Sequence, residues 1–220
     1  MAAFHPQVEN LPGEIPVFPL EGALLIPRGK LPLNIFEPRY LAMTEDALGA
    51  GRIFGMIQPD PSAAPAPNGP ALYRIGCLGR LSSFAETEDN RYLITLIGVA
   101  RFRVDQEVEM RRGYRRVRAD YTEFLGDLDL EPHPIGIGRE VLVSSLRGYF
   151  QRRGFDANWE AIRRISDDML VTTLAMICPF EPAEKQALLE APAEPDRAQT
   201  LLALLQIGAA AENLAGHRVS

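Results

Sequence analysis

The sequence predicts an α+β protein with strands in its first half and helices in its second. Three observations carry this. Up to about residue 121, short apolar runs rich in Val, Ile, Phe and Tyr are cut by Pro and Gly at strand-like intervals. From residue 139 the apolar residues recur at helical spacing. The charged fraction of 24% and hydrophobic fraction of 46% are ordinary for a folded chain, and 220 residues suffice to bury a core without disulfide or metal staples.

The strand candidates are IPVFPL (15–20), ALLIP (23–27), LPLNIF (31–36), RIFGMI (52–57), LYRIGCLGRL (72–81) and RYLITLIGVARFRV (91–104). Pro16, Pro19, Pro27 and Pro32 place the first of them at edges or bends, because proline cannot donate to a ladder. Pro38 suits a first helical position, with Tyr40, Leu41 and Leu48 as the buried stripe and Gly49 and Gly51 as the stop. Five prolines make 59–71 an exposed loop. Asp89-Asn90 reads as a hairpin turn, and Gly98 as a bulge or barrel corner. Phe102, Val104, Val108 and Met110 alternate with charged residues, as do Val117, Ala119 and Tyr121 on the return, which predicts a second hairpin with Glu107 and Glu109 facing Arg116 and Arg118.

A Pro/Gly-bearing connector leads to the helices. The first is REVLVSSLRGYFQRR (139–153), with Leu142, Leu146, Tyr149 and Phe150 inward. Ser166-Asp167-Asp168 opens the next, whose stripe is Leu170, Leu174 and Ile177. Pro182 and Pro195 start two more. The domain reading is a tail at 1–10, a β subdomain with one helix at 11–125, a connector at 126–138 and a helical bundle at 139–220.

Composition and motif spacing exclude several functions. A net charge of −6 supplies no global field for nucleic acid. The N-terminus shows no secretory signal and no run is long enough for a membrane helix, so the expected location is cytoplasmic, with no membrane partner. Cys77 and Cys178 read as small buried hydrophobes. His5, His133 and His217 are dispersed, and no metal or cofactor is expected. GALLIPRGK (22–30) has the wrong glycine spacing for a phosphate loop and lacks the following Ser or Thr. Ser62, Ser144 and Ser145 have no glycine-rich turn to supply oxyanion donors, and Lys185 reads as a solvated helix residue, so no catalytic residue is assigned.

Two clusters remain. RRGYRRVR offers Arg111, Arg112, Tyr114, Arg115, Arg116 and Arg118 as a grip for an RNA backbone, or as a hairpin tip neutralised by the acids just upstream. LPLNIFEPRY runs from strand chemistry straight into a proline-started helix: Leu33, Ile35, Phe36, Glu37, Arg39 and Tyr40 form a corner. Phe36 and Tyr40, four apart, are expected to share one core, with Glu37 and Arg39 anchoring the corner through buried hydrogen bonds.

The words IPVFPLEGALLIPRGKLPLNIFEPRY (15–40), FG (54–55), GCLGRL (76–81), LITLIGVARFRV (93–104) and ICPFEPAEKQALLEAP (177–192) carry a family resemblance. The chain resembles the N-terminal substrate-binding domain of the ATP-dependent protease Lon, over about residues 11–207, and looks like the stand-alone bacterial form of that domain. The resemblance implies a six-stranded PUA-like β pseudobarrel followed by a helical bundle. It also implies a non-enzymatic module for exposed apolar polypeptide segments or a partner protein, acting as adaptor, regulator of proteolysis or weak chaperone. RNA binding through the Arg-rich hairpin at 111–118 is the alternative, since PUA-like barrels are also used for RNA. The corner residues 33–40 are motif positions that become a possible peptide-binding rim.

Overall fold

The computed structural model describes residues 7–210. His5 and His217, and the last five residues of the helix expected after Pro195, lie outside them. The chain divides into two compact units, Met1–Glu131 and Pro132–Ser220.

The first unit is one mixed sheet of six strands: β1 (Glu14–Pro19), β2 (Lys30–Ile35), β3 (Ile53–Ile57), β4 (Ile75–Glu86), β5 (Tyr92–Arg111) and β6 (Tyr114–Asp120). Their order is β2-β5-β4-β3-β1-β6, and a further β5–β6 pairing closes five of them into a ring. The length of β5 makes closure possible. Its first residues pair with β2 from Lys30↔Ile97 to Ile35↔Tyr92, and its last part pairs with β6 from Arg103↔Asp120 to Arg111↔Tyr114. β1 and β3 are parallel, which requires a crossover; β2 and α1 (Pro38–Gly49) provide it.

β1 is not the edge that its prolines predict. It pairs with β6 over Glu14–Val17 and with β3 over Val17–Pro19, so only Val17 has neighbours on both sides. Pro16 and Pro19 each stand where one flank is free, which tolerates a missing N–H. β2, carrying Pro32, pairs with β5 alone among the described residues.

The barrel core holds Ile15, Val17, Leu78, Phe102, Val104, Val117 and Tyr121. Leu24, Leu25 and Ile26 are also buried, yet they lie outside any strand. The run is apolar because it packs against the sheet, with Leu25 beside Gly79 of β4 and the Ile26 backbone beside Gly98 of β5, and length and hydrophobicity alone do not separate such a segment from a strand. In α1 the buried residues are Tyr40, Ala42, Met43, Thr44 and Ala47, whereas Leu41 and Leu48 are only half-buried. The apolar alternation of β5 fails beyond Val104: a register shift between Val104 and Gln106 turns the strand, and Met110 is exposed. Glu107 therefore stands opposite Val117, not Arg116.

The second unit is helical: α2 (Arg139–Arg153), α3 (Trp159–Arg164), α4 (Asp167–Ile177), α5 (Pro182–Glu190) and α6 (Glu194–Ala210). Leu142, Leu146 and Tyr149 of α2, Leu170, Val171 and Leu174 of α4, Leu188 and Leu189 of α5, and Leu201 and Leu205 of α6 are buried. Glu181 and Glu184 close a capping box at the start of α5, where Pro182 takes the first turn. α3 escapes the sequence reading because it buries no residue and so shows no apolar stripe. Ile177, expected in the stripe of α4, is 64% exposed at the helix's last residue. Lys185, expected in solvent, is buried, and desolvation pulls its ammonium below the ordinary lysine range. Burial likewise pushes the Cys178 thiol up to about 12, which keeps it an inert hydrophobe.

Candidate functional site

The pleat of β2 sorts the corner residues onto two faces. Ile35 is buried, and Leu31 and Leu33 are half-buried on the same side. Pro32 and Asn34 point the other way, and Phe36, just past the strand, continues that outward face with 61% of its surface exposed. The register extends this face across three strands. Asn34 stands opposite Leu93 and Leu93 opposite Ala85; Pro32 stands opposite Thr95 and Thr95 opposite Ser83. The result is a shallow groove of about 460 Å³ with Leu93, 47% exposed, at its centre. Arg91 holds its guanidinium 5.7 Å from the centre of the Phe36 ring and pairs with Asp89 at 2.8 Å. Phe84, also exposed, packs on the Tyr92 ring at 4.9 Å.

Phe36 and Tyr40 do not share a core. Tyr40 is buried against Phe18, ring centres 4.1 Å apart, and desolvation raises its phenol pKa. A spacing of four joins two side chains only within a helix, and here a strand end and the N-cap position of α1 lie between them. Glu37 makes no side-chain cap bond. It accepts from Arg39 at 2.8 Å, with the two side chains 44% and 49% exposed. The expected buried anchor is thus a surface ion pair, worth about 0–1 kcal/mol. Arg39 also lies over the Tyr40 ring at 4.6 Å.

The second cluster is neutralised, largely from elsewhere in the chain. Arg111 meets Asp46 at 3.2 Å, and Arg112 meets Glu45 at 2.7 Å and Asp46 at 2.8 Å, both acids on α1. Arg116 and Arg118 meet Glu14 of β1 at 2.8 and 3.7 Å. Only Arg115 uses an acid upstream on β5, Glu107, and it also donates to the Pro70 carbonyl at 2.7 Å, tying down one end of the proline loop. Glu14, Glu45 and Asp46 are the residues that the sequence reading missed. For Glu14 the signal is the barrel's own register, since it stands directly opposite Arg118.

Tyr114 is buried beneath this network and donates its hydroxyl to Asp46 at 2.7 Å. That bond, then those from Arg112 and the Arg111 charge, hold the Asp46 carboxyl below the ordinary aspartate range. Burial, then the Asp46 bond, pushes the Tyr114 phenol up to about 12. The signs follow from linkage. A depressed carboxyl contributes stability above its unfolded pKa, and loses it as pH falls through the folded value. A raised phenol contributes below pH 10 and loses it towards 12. Urea unfolding of Asp46→Asn beside the parent should show the parent's advantage at pH 7 shrinking below about pH 4. An advantage that does not change with pH would assign the effect to shape rather than charge.

Among the described residues no group of three or more His, Cys, Asp and Glu could hold a metal ion, and no helix is long and apolar enough to cross a membrane. Comparison with known proteins gives one consistent set. The chain is similar to Lon protease 1 of Bdellovibrio bacteriovorus, 28% identical over 202 residues that make up 88% of this chain and 24% of the relative. It is 30% identical to Lon protease 2 of Sorangium cellulosum over 134 residues, 58% of this chain and 16% of that protein. The chain thus spans at most about a quarter of these relatives. Among solved structures, the Lon N-terminal domain protein from Xanthomonas campestris superposes with a TM-score of 0.59 at 22% identity, covering 86% of this chain and 97% of that one. The N-terminal domain of Mycobacterium avium complex Lon protease gives 0.57 at 15% identity, covering 87% and 97%. At these identities the structures establish a shared α+β fold. The family model for the ATP-dependent protease La (LON) substrate-binding domain matches residues 14–206, and the chain belongs to that family.

Proposed function

We propose that this chain is a non-enzymatic polypeptide-binding module that takes extended, apolar segments along β2 and the outer face of β2, β5 and β4. It would act as an adaptor, a regulator of proteolysis or a weak holdase. The observation that carries this reading is the one-sided strand β2 beside exposed Phe36 and Leu93. An unpaired strand edge offers backbone donors and acceptors to an extended peptide, and the apolar floor beside it can read alternate side chains. Leu33, Ile35 and Tyr40 support this rim from beneath, while Phe36, Glu37 and Arg39 are placed to touch a ligand. The RNA alternative is weaker at the 111–118 hairpin, because each of its arginines already has a carboxylate within 4 Å.

The test is binding of a fluorescent, permanently unfolded polypeptide. Replacing both Phe36 and Leu93 by Ser should weaken binding about tenfold or more. Phe36→Ala alone should change folding stability by under about 1 kcal/mol, because little of the ring leaves water on folding. Binding should vary little with salt, unlike a phosphate contact. Unaltered binding by the double variant would move the site elsewhere.

A further inference from the structure

The hydrogen-bond phase of β2 decides what its open edge can hold. In an antiparallel pair, opposed residues alternate between a hydrogen-bonded pair and a pair whose N–H and C=O groups point away from the partner strand. Gly98 N–H donates to the Gly29 carbonyl at 2.9 Å, so the next pair, Lys30↔Ile97, is of the second kind. From there the register runs without a shift to Ile35↔Tyr92. Leu31, Leu33 and Ile35 therefore direct their backbone groups to β5, whereas Lys30, Pro32 and Asn34 turn theirs to the open edge. These last three are exposed. The edge thus presents N–H groups at Lys30 and Asn34 and carbonyls at all three positions. Between the two donors stands a proline ring, with its Cδ where an N–H would be. In this phase Pro32 removes no bond from the β2–β5 ladder, and it acts only on what approaches from outside.

We propose that Pro32 makes this edge selective: an extended segment of another polypeptide pairs with β2, and a second copy of this chain does not. The first half rests on the function proposed above, and the second half stands without it. A foreign strand meets the proline once. Its carbonyl opposite Pro32 stays unbonded at the rim, while Lys30 and Asn34 still pair fully on either side. Two copies of β2 related by a twofold axis meet the proline twice. With the axis at Pro32, the two rings confront each other's carbonyls at the centre of the pair, where both bonds are missing. With the strands slid either way, each proline still removes a bond and the overlap shortens. A proline on an open edge is a known device against edge-to-edge association, and specificity of this kind comes from what is excluded as much as from what is bound.

Sedimentation velocity of the intact protein beside Pro32→Val reads the second half without any peptide. Valine restores the N–H and favours a strand. The parent is expected to stay a monomer at concentrations where Pro32→Val sediments as a dimer. Pro65→Val, a change in the exposed proline loop, should behave as the parent. Fluorescence anisotropy with a labelled, lysine-capped peptide of alternating Val and Thr reads the first half. Monomeric Pro32→Val, at low concentration, should bind it about three- to tenfold more tightly than the parent, the worth of one added hydrogen bond. Excess peptide should dissociate the Pro32→Val dimer. A Pro32→Val protein that remains a monomer, or a parent that is itself a dimer dissociated by the peptide, overturns the proposal. Dimerisation of Pro32→Val with no peptide binding by either protein supports the block on self-pairing and removes the peptide-binding function instead.

Discussion

Gly98→Ala should cost the barrel about 3 kcal/mol or more in urea unfolding, or prevent folding altogether. A Cβ at this position would lie 2.0 Å from the Ile26 carbonyl oxygen, 2.7 Å from its carbonyl carbon and 3.0 Å from Pro27 Cα. All three are backbone atoms, which cannot swing away as a side-chain end can. The crossing segment is also tied in place. Arg28 N–H donates to the Gly98 carbonyl at 2.8 Å, and Gly98 N–H donates to the Gly29 carbonyl at 2.9 Å. Moving Ile26 would therefore break these bonds and pull on the buried Leu24–Ile26 segment. Overpacking a core ordinarily costs 1–3 kcal/mol, occasionally more, and a backbone clash in a closed ring belongs at the top of that range. Gly148→Ala is the control. Its nearest atom beyond the local helix backbone is Ala209 Cβ at 4.0 Å, and a helix interior favours Ala, so a gain of up to about 1 kcal/mol is expected. A Gly98→Ala protein as stable as its parent would mean that the segment crossing Gly98 is loosely held.

The elements legible in the sequence are those whose local chemistry and tertiary role agree. β1, β2 and β3 follow from apolar runs between prolines and glycines, and α2 from Leu142, Leu146 and Tyr149 at helical spacing. Pro38 and Pro182 mark helix starts because a first-turn residue needs no N–H partner. Misreadings arise where an apolar run has another use, as in the buried non-strand segment Leu24–Ile26, or where a helix buries nothing, as in α3. Gly98 reads as a corner from its place inside a long strand, but the reason for it, the Ile26 carbonyl, is 72 residues away in sequence.

The candidate site was less legible than the fold. The residue types at 33–40 mark the corner. The period-2 alternation that turns Leu31, Leu33 and Ile35 inward turns Phe36 outward with Pro32 and Asn34, and the spacing of four to Tyr40, which holds only within a helix, is the wrong guide across a strand end. The partners of the hairpin arginines, Glu14, Glu45 and Asp46, were hidden because they come from β1 and α1, and only closure of the ring brings them close. Cross-strand expectations built on neighbours in sequence found only the acid nearest Arg115.

Asp127 is the sharpest case, since the sequence places it in a connector, where substitution should matter little. In the structure it follows β6 in the 3-10 segment Thr122–Leu128, and its carboxylate grips Arg101 of β5. Arg101 Nε donates to Asp127 Oδ2 and Nη2 to Oδ1, both at 2.8 Å, and the Arg101 backbone N–H donates to Oδ2 at 2.9 Å. The side chains are only 5% and 11% exposed, and the guanidinium lies over the Phe124 ring at 4.7 Å. Removing the carboxylate leaves a buried guanidinium without its counter-charge and a backbone donor without its acceptor. Asp127→Ala should therefore cost about 3–5 kcal/mol. Asp127→Asn, which keeps one acceptor oxygen, should cost less. Most of the loss measures the stranded charge, not the net worth of the pair, so Arg101→Met with Asp127→Leu should recover to within about 2 kcal/mol of the parent. Urea unfolding of the three variants separates these contributions. An Asp127→Ala cost under about 1 kcal/mol would mean that water reaches Arg101 and that the segment after β6 hangs free of the barrel.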